Sequence, residues 1–347
     1  HSDGSVPAGP PTTWFDRYRV AAVRGRGSVF TPRVLLLIAG TLLVMAYGLG
    51  ATSSIRYSII VGIVLGMAVL GNNAVTGLLG EINIGAGAFV ALGAYTFAFL
   101  ISEGRSVLVA AAAAVLLSVV IGAILAVPTT RLTGIFTALV TFALASAVPS
   151  LVMELDHWTG GQRGIAIPFD ASVFGMEVTG SNPELLVLVT VVFLGLGLGS
   201  LAVLRSRLGR TLLVVGEVPQ AAECFGVATR RWEVSIWAFA AGLGGLCGCL
   251  YALAVGYLTP EVFPLFLSIS LLVACFVGGP RSPLGALLGG LFVGALPTNI
   301  QSIIPAEATG MLFGAAMFAM LFAGGLGLAG MLERTPVTVR RLIGGRR

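Results

Sequence analysis

The 347-residue sequence contains no lysine, and its 20 basic residues are all arginine. A nucleotide-binding P-loop requires lysine in its Gly-x-x-x-x-Gly-Lys-Ser/Thr run, so the chain carries no such loop. Histidine occurs only at His1 and His157, too few for a histidine-built zinc or haem site. The four cysteines are Cys224, Cys247, Cys249 and Cys275. Three fall in apolar runs and one in an arginine-rich loop, and neither setting favours a disulfide. Cys247 and Cys249 are one residue apart, which is not a metal-ligand spacing. Charged residues make up 10% of the chain, against about 25% in an ordinary soluble domain. No segment offers the basic soluble face that nucleic-acid binding needs.

Apolar residues fill the space instead. They make up 56% of the sequence, and the mean hydropathy is +0.99. A single anchor helix cannot produce such an average. The apolar runs are continuous rather than alternating, which excludes a β-barrel and predicts helices. The 48 glycines suit close packing of transmembrane helices. A helical span needs about 20 apolar residues. Ten such runs are present, at 34–50, 56–76, 84–102, 107–127, 133–153, 184–204, 234–254, 264–279, 284–303 and 309–330. The expected fold is an all-α, polytopic transmembrane helix bundle of about ten spans.

Arginine sets the expected orientation. With the N-terminus inside, 17 arginines fall on the cytoplasmic side and three, Arg56, Arg105 and Arg163, fall outside. That asymmetry follows the positive-inside rule and requires an even number of spans, with both termini cytoplasmic. The expected organisation is a polar cytoplasmic segment at 1–33, a transmembrane domain at 34–330 and a basic cytoplasmic tail at 331–347. The segment before Val34 is too long and too proline-rich to read as a cleavable signal. Two loops are long: an extracytoplasmic one at 154–183 and a cytoplasmic one at 205–233.

The cytoplasmic loop contains a predicted two-turn helix over Glu217–Gly226. Pro219 fits a first turn and Gly226 a terminus. Val218, Ala221, Ala222 and Phe225 are spaced to share one apolar face, with Glu217 and Glu223 off it. That face needs a partner, either the membrane surface or a groove in a soluble subunit. Acidic neighbours disfavour anionic headgroups and favour the groove.

Polar residues within the runs are scarce. Asn72, Asn73, Glu81 and Asn83 lie in one short stretch, and Thr137 and Thr141 are four apart on one helix face. A carboxylate in the bilayer costs at least ~2.5 kcal/mol, so Glu81 lines a wet cavity, is protonated, or lies near the interface. Gly80, Gly85 and Gly87 cluster before the third run. Gly279, Pro280, Pro283, Gly285, Gly289 and Gly290 cluster around the start of the ninth. Interrupted helices at matching places suggest an internal pseudo-repeat around a substrate path. Close helix packing accounts for any single glycine. The six polar residues are the candidate pathway.

Several blocks resemble the permease family of branched-chain amino-acid ABC importers. Ser206-Arg-Leu-Gly-Arg210 and Ala221-Ala-Glu-Cys-Phe-Gly226 are similar to its entry and coupling motifs. Gly256 with Leu258-Thr-Pro260, then Glu261, Phe263, Ser268, Leu271, Leu272 and Gly278–Gly279, continue the likeness. Gly77-Leu-Leu-Gly-Glu-Ile-Asn-Ile-Gly-Ala-Gly-Ala-Phe89 and Leu92-Gly-Ala-Tyr95 resemble its glycine-rich region. The blocks are in order and cover about half the chain. The chain departs from the pattern at Glu81, Asn83 and Ala86, and at Gly278-Gly-Pro-Arg-Ser282. The resemblance implies a non-catalytic subunit in a bacterial inner membrane. It also implies two ATP-binding partner subunits that use ATP and Mg, a second related permease and an extracytoplasmic solute-binding protein. The chain itself would hold no cofactor. Its substrate would be a branched-chain or related amino acid, with urea, short amides or another small solute as alternatives within the class. An ion-coupled secondary transporter is the rival from another class.

Overall fold

The computed structural model describes residues 30–130, 134–167, 172–173, 176–177, 180–300 and 314–315. Nine of the ten apolar runs fall on helices. These are α1 (Phe30–Gly50), α2 (Ser53–Ala74), α3 (Ala86–Ser102), α4 (Val107–Thr129) and α5 (Ile135–Glu154). After the single turn α6 (Asp156–Thr159) comes α7 (Pro183–Arg205). Two shorter helices follow, α8 (Arg207–Glu217) and α9 (Pro219–Cys224). Then come α10 (Thr229–Val255), α11 (Leu265–Gly278) and α12 (Pro283–Ile300). Seven of the helical segments are long and apolar enough to cross a membrane, and α3 and α12 are shorter apolar helices. The fold is therefore an all-α polytopic bundle. The tenth run, the tail and nearly all of segment 1–33 lie outside the described residues.

Helices α2 and α10 form the centre. Every residue of α2 from Ser58 to Asn73 is buried. Helix α4 instead buries only a stripe of mostly small residues: Ala110, Ala114, Ser118, Gly122 and Ala126, with Thr129 at its end. The spacing of four puts them on one face, which packs on α10. Its other faces expose Leu108, Leu116, Val120 and Ile124, as a lipid-facing helix does. Apolar side chains gain nothing by leaving lipid for a helix interface, so close backbone approach drives the association. Gly93 of α3 and Gly245 of α10 supply that approach: a methyl group at Gly93 would overlap the backbone of Gly245.

Chain connections separate two ends. At one end, β1 (Ile165–Ala166) pairs antiparallel with β4 (Tyr257–Leu258), with Ile165 opposite Leu258. The Ile167 N–H donates to the Gly256 carbonyl at 2.8 Å, and Gly180 N–H donates to Leu253 O at 3.0 Å. The loop after α5 is thereby fastened to the end of α10. A second two-residue pair joins β2 (Ser172–Val173) and β3 (Met176–Glu177). Arg56 at this end donates to the Gly48 and Ala51 carbonyls, each at 3.1 Å, and so caps α1.

The opposite end carries α8 and α9. Arg205, Arg207, Arg210, Arg230, Arg231 and Arg281 all lie there. The stretch at 205–233, expected as a loop around one short helix, contains two helices. The predicted helix over Glu217–Gly226 is split, because Pro219 forces the residue before it away from helical geometry. Val218 is non-helical, at φ −145° and ψ 72°, so Glu217 closes α8 and α9 begins afresh at Pro219.

Candidate functional site

A second, smaller core sits at the α8–α9 end. Val75, Leu78 and Leu79 meet Ala126, Leu212, Val215, Ala222, Ile236, Trp237 and Ala240. Its centre is the end of α2, which passes into one π-helical turn, Val75–Leu79. Such turns misalign the backbone ladder and recur at functional sites. Gly80 then adopts a left-handed conformation, φ 74°, and stops the helix. Residues 80–85 carry no helix before α3 starts at Ala86.

This irregular stretch holds much of the predicted pathway set. Asn83 Oδ1 accepts from the Gly85 N–H at 2.8 Å. Thr141 Oγ1 accepts from the Ile84 N–H at 3.1 Å, and its hydroxyl is 3.0 Å from the Thr137 and Ala138 carbonyls. Helix α5 thus pins the stretch in place. Asn73 Nδ2 donates to the Ser282 carbonyl at 3.3 Å, in the turn between α11 and α12. Asn72 is buried with both amide atoms lacking a protein partner among the described residues, as are Asn73 Oδ1 and the Thr137 hydroxyl. Each orphaned group costs about 1–3 kcal/mol unless something polar reaches it.

Glu81 is half-buried, and Trp237 Nε1 donates to its Oε2 at 2.9 Å. Burial raises its carboxyl above the ordinary range. The Trp237 hydrogen bond opposes that shift, and the charge on Glu233 adds to it. The helical run Ser53–Leu79 has 27 residues and rises about 40 Å, more than the ~30 Å of hydrocarbon. Gly80 and Glu81 lie just past its last residue. The second glycine cluster reaches the π-helical turn: a methyl group at Gly77 would overlap the Pro280 carbonyl.

Residues 54–321 match the family described as "Branched-chain amino acid transport system / permease component". The chain belongs to this permease family. Similar curated proteins are the high-affinity branched-chain amino acid transport system permease protein LivM of Escherichia coli (strain K12) and its namesake in Salmonella typhimurium. Each is 29% identical over 247 residues, which cover 65% of this chain and 58% of the relative. The chain thus spans less than two thirds of the length of the relatives it matches. No solved structure matches it.

In this multi-pass permease, the predicted coupling residues divide between two environments. Ala222 is buried, at 1% exposure, in the small core beside Val215. Phe225, just past α9, is 85% exposed. The single apolar face expected from Val218, Ala221, Ala222 and Phe225 does not form, because Val218 leaves helical geometry and breaks the register. Ala222 instead anchors α9 inward, with Ala221 half-buried and Val218 at the rim. Glu223 accepts from the Thr229 hydroxyl at 2.7 Å, which ties α9 to the start of α10. Gly226 is left-handed, at φ 77°, and turns the chain toward α10. Sequence reasoning missed α8, Trp237 and Arg281 as parts of this site. The first had a local signal, Ser206 as an N-cap with Leu212 and Val215 three apart. The other two are distant from their partners in the chain and carried none.

Proposed function

We propose that the chain is the membrane-spanning permease subunit of an ATP-driven ABC importer in a bacterial inner membrane. Its cargo is a small polar solute, a branched-chain or related amino acid. Family membership supports the class, and the two relatives' own transport of branched-chain amino acids supports the cargo. The arginine-rich α8–α9 end faces the cytoplasm, in keeping with the positive-inside rule. ATP and Mg act on two partner subunits. A second permease chain completes the path, and an extracytoplasmic binding protein delivers the solute to the β1–β4 end.

The path runs past Asn72, Asn73, Thr137, Thr141 and Asn83, with Glu81 at its cytoplasmic mouth. The orphaned amide of Asn72 and hydroxyl of Thr137 support this course, since a polar solute would satisfy them.

One observation carries the coupling role: α9 is anchored by Ala222 while presenting Phe225 to solvent. A highly exposed aromatic just past an anchored helix suits a groove in an ATPase subunit. Co-expression with the cognate ATPase and a pull-down through this chain tests it. Phe225→Ala is expected to lower recovered ATPase by about tenfold or more, as loss of an aromatic anchor does. The thermal stability of the chain alone should change little, since Phe225 is 85% exposed among the described residues. Undiminished recovery of the ATPase would refute the docking role.

A further inference from the structure

The turn between α11 and α12 reaches across to α8. Arg281 Nε donates to the Gly77 carbonyl at 2.6 Å, inside the π-helical turn. The same guanidinium places Nη2 3.7 Å from Glu217 Oε1, at the last residue of α8. One side chain therefore bridges the α8–α9 unit and the end of α2. Two backbone contacts flank it. Gly216 lies so close to Leu78 that a methyl group would overlap the Leu78 carbonyl, and one at Gly77 would overlap the Pro280 carbonyl. Beyond Gly77, the chain leads through Gly80 to Glu81, which Trp237 holds. The Arg281 and Glu217 side chains are 33% and 41% exposed. A half-solvated pair at this distance contributes little to stability. Its value lies in geometry: guanidinium donors have fixed directions, so moving Glu217 moves or breaks the bond to Gly77.

We propose that Arg281 is a positioning residue that transmits displacement of the α8–α9 unit to the 75–85 segment, coupling ATP use to opening of the path at Glu81. This rests on the importer reading above. In it, a partner stroke on α9 moves Glu217. Arg281 then pulls the Gly77 carbonyl, and the π-helical turn yields because its backbone ladder is already misaligned.

The test uses the complete transporter, with its ATPase subunits, second permease and binding protein, reconstituted in vesicles with leucine as the probe solute. Uptake and ATP hydrolysis are measured together, along with the ATPase recovered per permease. Arg281→Met is expected to assemble and to hydrolyse ATP, while leucine carried per ATP falls about fivefold, the lower range of site-to-site coupling. Arg281→Lys keeps the charge near Glu217 but loses the fixed fork, and should fall between Met and wild type. If the Met variant does not assemble, the Lys variant decides the matter by the same ratio. A purely structural role would lower assembly, hydrolysis and uptake in proportion and leave solute per ATP unchanged. That result, or unchanged uptake, overturns the proposal. Wild-type vesicles that hydrolyse no ATP during leucine uptake would overturn the importer reading itself, and Arg281's role with it.

Discussion

Glu81 shows how one carboxylate can mark a junction. Burial raises its folded-state pKa, so its protonated form is favoured in the fold. The sign follows by linkage. With the folded value above the unfolded one, the stabilising contribution is complete at pH below the unfolded pKa. It is lost as pH rises through the folded pKa. Glu81→Gln keeps an acceptor for Trp237 and removes the titration. The variant should match wild type in thermal unfolding at acid pH, gain on it as the pH rises from the unfolded to the folded pKa of Glu81, and keep a constant lead above that. Scans of detergent-solubilised protein across pH check this. A constant gap between the two proteins at every pH would count against it. Arg281 and Trp237 matter for the same junction, yet neither could be read from local pattern. They sit 204 and 156 residues from their hydrogen-bond partners. Only folding brings such residues together. Asn83 and Thr141, by contrast, were legible as polar atoms in apolar surroundings, because a polar group in lipid must be answered somewhere.

At the scale of elements, the long helices were the legible part. A run of 20 apolar residues is a span almost by arithmetic, and nine of the ten fall on described helices. The failures came where the chain leaves lipid. Helix α8 is amphipathic, not apolar, and it buries only Gly209, Leu212 and Val215. The α9 register failed because one proline displaced Val218, and a spacing rule assumes an unbroken helix. The contact between α8 and the π-helical turn yields a direct prediction. Gly216→Ala puts a methyl group against the Leu78 carbonyl. Overpacking of this kind typically costs about 1–3 kcal/mol. The variant should unfold at lower temperature than wild type, whereas Gly199→Ala, with open space around it on α7, should not. Equal melting of the two variants would refute the tight contact.

For the molecule entire, the arginines and cysteines make orientation measurable. Among the described residues, Cys224 is exposed at the α8–α9 end, while Cys247, Cys249 and Cys275 are buried. Without a partner ATPase, a membrane-impermeant maleimide should label Cys224 in inside-out vesicles and leave intact spheroplasts unlabelled. Cys224→Ser should abolish the labelling of inside-out vesicles. Labelling of Cys224 from outside would reverse the assigned orientation, and with it the sides given to α9 and the β1–β4 ladder. The bundle has a matching division of labour. Its two ends carry its irregular backbone, and α2 and α10 run between them as the packed centre.

The meeting of Gly216 with Leu78 has a mechanical consequence. Where side chains meet, a push can be absorbed by a change of rotamer, and the contact behaves as a cushion. Where two main chains meet with no side chain between them, nothing is left to compress. The joint behaves as a bearing, which can slide or separate but cannot soften, so motion of α8 toward the π-helical turn is passed on undamped.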